Sequence, residues 1–151
     1  MAAEVGAMAP DFELKDQHGA PVRLSGLRGR RIVLVFYPLA FSRVCQGELS
    51  AIRDDFVVSA ADDVQVLTIS VDSMFSHRVW ADQEGYTFSL LSDFWPHGEV
   101  ARSYGVFDEE KGLALRGTFI IDAQGVVRWK IVNEIGAARD VVEYQKVLDG
   151  I

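Results

Sequence analysis

Cysteine is the scarcest reactive group in this chain: of 151 residues, only Cys45 carries a thiol. No disulfide can close within one copy, and a lone cysteine does not argue for one between copies. Clustered basic charge is also missing. The net charge is −7, and no basic run is longer than RGRR at 28–31, which excludes the usual electrostatic footprint of a nucleic-acid binder. Those arginines read as a solvated turn ahead of a strand. The longest apolar run, IVLVFYPLAF at 32–41, is too short to span a bilayer. The opening MAAEVGAMAPDFELKD has neither the basic leader nor the apolar stretch of a signal peptide, so a cytoplasmic location is expected. His18, His77 and His97 lie too far apart for a metal site, and each reads as satisfied or exposed. With no phosphate loop, nucleotide fingerprint or Ser/His/Asp set, no cofactor is expected.

What is present suffices for a core. Hydrophobic residues make up 49% and charged residues 25%, ordinary values for one globular domain covering residues 1–151. DFELKD alternates like a strand, QHGAPVRL supplies a turn and a second strand, and SGLRG ends this hairpin-like unit. RIVLVFY at 31–37 is a continuous β-branched run, as in a central strand covered on both faces, and Pro38 ends it. From Ser42 or Arg43 the period becomes helical: Cys45, Leu49, Ile52 and Phe56 share a face, with Gln46, Glu48, Arg53 and Asp54 on the others. VQVLTISVD at 64–72 is a second buried strand. SMFSHRVWADQEG at 73–85 predicts a helix capped by Ser73, stopped by Gly85 and apolar along Phe75, Val79 and Trp80. FSLLSD reads as a short strand or turn, and GEVARSYGV as a short helix closed by Gly105. LRGTFIID and VVRWKIV flank AQG as a hairpin, and ARDVVEYQKVLDG closes the chain as an amphipathic helix. ADQEG and FDEEKG read as acidic solvent-facing stretches, and Trp80 and Trp95 as core or pocket wall. Strand–helix–strand crossovers feeding a mixed central sheet flanked by helices, with an N-terminal β-hairpin, give an α/β fold of thioredoxin-like type.

Cys45 has two readings. It shares a face with three apolar residues, and free cysteine is commonly buried filler. Against that, it falls in the first turn of its helix, where unpaired amides and the positive dipole end favour a thiolate. Pro38 forces a bend that can wrap the sulfur, and Ser42 brings a hydroxyl alongside, either to cap the helix or to bond a substrate. Moving a thiol pKa from about 8.5 to about 6.5 needs roughly 2.7 kcal/mol, of which a helix terminus supplies about 0.3–2 kcal/mol. A cation must add the rest. Arg43 is nearest in sequence but free to point to solvent; Arg116, in LRGTF, opens an otherwise apolar strand as either an edge charge or an inward-facing functional cation.

PLAFSRVC at 38–45 resembles the active-site pattern of the peroxiredoxins: proline, three residues, Thr or Ser, two residues, cysteine. APDFEL, LLSDFWPHGEVARSYGVF and RGTFIID follow in that family's order, and the likeness extends to the one-cysteine, alkyl hydroperoxide reductase E type. The resemblance implies a thiol peroxidase and antioxidant enzyme. Cys45 would be the nucleophile, Pro38 its shield from water, and Ser42, in place of the usual threonine, a contact to the attacked peroxide oxygen. Arg116 would lower the thiol pKa and steer the peroxide, while Glu48 and Arg139 would orient the site. Serine keeps the hydroxyl but not the β-branch, so a looser rotamer is expected. With no second cysteine, the sulfenic acid would be reduced from outside, by a low-molecular-weight thiol such as mycothiol or by a mycoredoxin-, glutaredoxin- or thioredoxin-like protein. The family often forms homodimers. A general thiol–disulfide oxidoreductase would want Cys-x-x-Cys, whereas residues 45–48 are Cys-Gln-Gly-Glu. A redox sensor or chaperone-like protein signalling through oxidised Cys45 is the other class of reading.

Overall fold

The computed structural model describes residues 3–57, 60–134 and 139–151; residues 135–138, which include the GAA preceding Arg139, lie outside them. Strands β1 (Glu13–Lys15) and β2 (Pro21–Arg23) pair antiparallel. Asp16 closes their turn by accepting the amides of His18 and Ala20, at 2.8 and 3.0 Å. The apolar run then forms β3 (Arg31–Phe36), which pairs parallel with β4 (Val64–Ser70), itself parallel to β5 (Ser89–Ser92). Helix α1 (Arg43–Ala51) makes the first crossover and α2 (Met74–Glu84) the second. Both crossovers step the sheet in one direction, so a common hand places both helices on one face. Helix α3 (Glu99–Ser103) leads into a two-stranded ladder of β6 (Phe107–Asp108) and β7 (Leu113–Ala114). That ladder lies in what the sequence presents as an acidic loop; Glu109, Glu110 and Lys111 at its tip are exposed. The hairpin β8 (Arg116–Ile121) and β9 (Val127–Asn133) precedes α4 (Val141–Asp149).

The principal sheet has seven strands in the order β2-β1-β5-β4-β3-β8-β9. Alternation along β3 sends Val33 and Val35 into the layer shared with α1, α2 and α4, and Ile32, Leu34 and Phe36 into the layer shared with α3. Burial on both faces explains the run of unbroken apolar residues.

Three local expectations change. In α2 the side against the sheet is His77, Trp80 and Ala81, while Phe75 and Val79 are 69% and 50% exposed. At about 100° per residue these two groups stand on opposite sides of the helix, and the bulk of Trp80 decides which one faces in. Ser73 does cap the helix, accepting the Ser76 amide at 3.2 Å, and Gly85 ends it in the left-handed conformation at φ 70°. In α1, Glu48 is buried although it lies off the apolar face. After Ala51 that helix widens into one π turn, Ile52–Phe56, which keeps Ile52 and Phe56 in the core with Cys45 and Leu49.

Candidate active site

Cys45 occupies the third position of α1 and is fully buried. Ser42 stands at the N-cap in extended backbone, and its carbonyl accepts the first helical bond, from Gln46 N at 2.8 Å. Its hydroxyl makes no capping bond; it donates instead to Leu39 O at 2.9 Å. The capping reading of this hydroxyl is therefore set aside, and its lone pairs are not engaged by the helix amides. The first-turn amides around Cys45 have no intrahelical acceptor. Pro38 is buried between β3 and this turn, and Phe41 holds φ at 67°, a conformation that costs a non-glycine residue about 1–3 kcal/mol. Arg43 is exposed and lines, with Phe41, Gln46, Gly47 and Ser50, an open groove of about 440 Å³.

The other half of the site comes from distant segments. Glu48 lies three residues after Cys45, so their Cβ atoms are about 5–6 Å apart on the helix surface. Its carboxylate accepts Arg116 Nη1 at 2.5 Å and Arg139 Nη2 at 2.8 Å on Oε1, and the Arg139 amide at 2.6 Å and Nε at 2.8 Å on Oε2. Arg139 Nη1 also donates to Gly117 O and Thr118 Oγ1, at 3.0 and 3.1 Å. Burial alone would push the Glu48 carboxyl up, but the bonds and charge of Arg139 and the charge of Arg116 hold it below its usual range. Arg116 is thus an inward-facing cation, 2% exposed, and not an edge charge. Two guanidinium groups thus share one carboxylate, and that carboxylate belongs to the residue one helical turn after Cys45.

A second polar group packs against the same loop. His77 is completely buried and meets the satisfied expectation at one nitrogen only: Nε2 lies 2.7 Å from Ser70 Oγ and 3.1 Å from Tyr37 Oη, while Nδ1 has no hydrogen-bond partner. Burial pushes its pKa down to about 4, against the opposing pull of Asp72. His18 and His97 are exposed, His97 bonding Gly112 O. No cluster of three metal-ligating side chains occurs among the described residues, and no described helix is long and apolar enough to cross a membrane. Trp80 is buried against Tyr37, Phe41 and Tyr86, with ring centroids 5.6, 5.8 and 5.2 Å away. Trp95 lines two surface clefts but is 81% exposed. The sequence reading missed Tyr37, Ser70, Asp72 and His77; the one available signal was the helical spacing that puts His77 beside Trp80.

A profile of the AhpC/TSA family matches residues 5–130. The chain belongs to that family. Its chemistry is that of a thiol-dependent peroxidase. It is 50% identical to alkyl hydroperoxide reductase E of Mycobacterium tuberculosis over 137 residues, 90% of each chain. It is 40% identical to a putative peroxiredoxin of Synechocystis over 97% of this chain and 78% of that one. Among solved structures, AhpC of Enterococcus faecalis superposes with a TM-score of 0.88 at 29% identity, covering 99% of this chain and 92% of that one. The reduced 2-Cys peroxiredoxin of Plasmodium vivax gives a TM-score of 0.85, also at 29% identity, over 96% and 80%. These likenesses make the fold that of the thioredoxin-like peroxiredoxins, and the single cysteine agrees with a one-cysteine type.

Proposed function

We propose that Cys45 is the peroxidatic nucleophile of a cytoplasmic one-cysteine peroxiredoxin formed by residues 1–151. The observation that carries this reading is the buried Glu48–Arg116–Arg139 cluster, which brings two arginines to the carboxylate one helical turn after Cys45 at the start of α1. The thiolate is the reactive form of cysteine. The helix amides, the Ser42 hydroxyl and Arg116 hold a hydroperoxide so that one oxygen stands in line with sulfur and charge growing on the other is stabilised. Pro38 keeps bulk water from the site. Sulfur bonds to the nearer oxygen as the O–O bond breaks; the departing hydroxide or alkoxide takes a proton, leaving water or an alcohol and a sulfenic acid. Hydrogen peroxide, organic hydroperoxides and peroxynitrite all present that bond.

The sulfenic acid condenses with an external thiol, releasing water, and a second thiol displaces the mixed disulfide and restores Cys45. Likeness to alkyl hydroperoxide reductase E supports mycothiol with a mycoredoxin-like protein over a glutaredoxin- or thioredoxin-like donor. The protein works as a homodimer through the apolar surface where Phe94, Trp95 and Met74 line a cleft of about 430 Å³ and Phe75 and Val79 stand exposed along α2. Stopped-flow oxidation tests the assignment. Cys45→Ser loses all peroxide consumption while keeping its fold, and the wild type reacts orders of magnitude faster than a free thiol; a free-thiol rate would instead favour signalling through oxidised Cys45.

A further inference from the structure

Below the loop that leads into α1, a chain of neutral and acidic groups ends on one backbone amide. Ser70 Oγ lies 2.6 Å from Asp72 Oδ2 and 2.7 Å from His77 Nε2. Serine has a single hydroxyl proton. Spent on the Asp72 carboxylate, it has His77 donate to Ser70 through Nε2–H. Asp72 Oδ2 then accepts the Ala40 amide at 2.8 Å. Among the described residues, this is the only amide of residues 39–41 that meets a protein acceptor. It adjoins Phe41, whose positive φ must be held from outside. The same helix grips the loop again one turn later, where the Trp80 ring packs 5.8 Å from that of Phe41.

Satisfying buried polar groups is the ordinary reason for such bonds. It does not account for Asp72, whose side chain is 16% exposed and open to water. We propose that the His77–Ser70–Asp72 relay tethers the Ala40 amide and so fixes residues 38–42 in the conformation that brings Pro38, Ser42 and the first-turn amides around Cys45. The three are positioning residues for the peroxide step, and this role rests on the peroxidase reading above. The tether acts chiefly on where the oxygens of the substrate stand, since, among the described residues, Glu48, Arg116 and Arg139 make no hydrogen bond to it.

The test compares second-order rates of Cys45 oxidation by hydrogen peroxide with its alkylation by iodoacetamide at one pH. Alkylation attacks carbon and needs no aligned O–O bond. Since a misplacement of about 1 Å can cost about 10²-fold, Asp72→Ala and His77→Phe slow peroxide oxidation at least about tenfold while alkylation changes less than about threefold. Asp72→Asn keeps an oxygen for both the Ala40 amide and Ser70, and stays within about threefold of wild type. Ser70→Ala breaks the same link and stands in if Asp72→Ala fails to fold. Peroxide rates unchanged in the folded variants, both reactions slowed in parallel, or Asp72→Asn as slow as Asp72→Ala would each overturn the tether alone. A wild type no faster than a free thiol would overturn the peroxidase reading and the tether with it.

Discussion

Two polar groups flank Cys45, and they are built on opposite principles. On one side Glu48, Arg116 and Arg139 form a charged knot whose partners lie 68 and 91 residues apart in sequence. On the other, Ser70, Asp72 and His77 span eight residues, with an imidazole that burial keeps neutral at neutral pH. The charged knot can stabilise developing charge, because its ions are already buried and held in place before substrate arrives. The relay, in the role proposed for it, acts instead through one backbone position, the Ala40 amide held by Asp72. On that proposal, stabilising charge and holding the loop fall to separate side chains.

The largest expected effect breaks the charged side. Glu48→Ala leaves two buried guanidinium groups without their carboxylate, and removing one partner of a buried ion pair costs about 3–5 kcal/mol. Chemical denaturation measures this, and a loss below about 1 kcal/mol would mean the knot is far more solvated than its burial implies.

A pH series separates the two groups further. Glu48 has a depressed folded pKa, so its contribution is present above the unfolded carboxylate value and fades as pH falls through the folded one. His77 acts in a higher window. Its folded pKa of about 4 lies below the ordinary imidazole value of about 6.5, so the unfolded chain binds the extra proton between those values and stability declines as pH falls through them. Asp93, which accepts the Val100 and Ala101 amides at the start of α3, opposes this: burial raises its pKa to about 6, so it favours the fold as pH falls. The informative quantity is the difference between wild type and His77→Phe. That difference should shift against the wild type by up to about 3 kcal/mol from pH 6.5 to 4. A flat difference would show that His77 is protonated in the folded protein.

The smallest effect on stability lies away from both groups. Phe75→Ser, on the exposed face of α2, should change stability by less than about 0.5 kcal/mol while lowering the dimer fraction seen by light scattering. An unchanged dimer would place the contact elsewhere.

Much of this was legible in the sequence because it is local. The unbroken run at 31–37 encodes a strand buried on both faces, Ser73 and Gly85 mark the ends of α2, and AQG marks the β8–β9 turn. Pattern failed where a residue's surroundings come from elsewhere in the chain. Helical spacing puts Glu48 off the apolar face of α1, and only the approach of Arg116 and Arg139 accounts for its burial. Phe75 and Val79 read as core until Trp80 takes the inward side. The β6–β7 ladder is too short to carry a period.

The order of strands and helices, the lone thiol at a helix start and the arginine opening β8 were determined by the sequence alone, since turn chemistry and apolar spacing act between near neighbours. Tertiary structure decided that a glutamate could be buried, that Arg116 would turn inward, and that a histidine would be held neutral. Charge and hydrogen bonding depend on which groups meet in space, and it is packing of the sheet against α1 and α2 that brings those groups together.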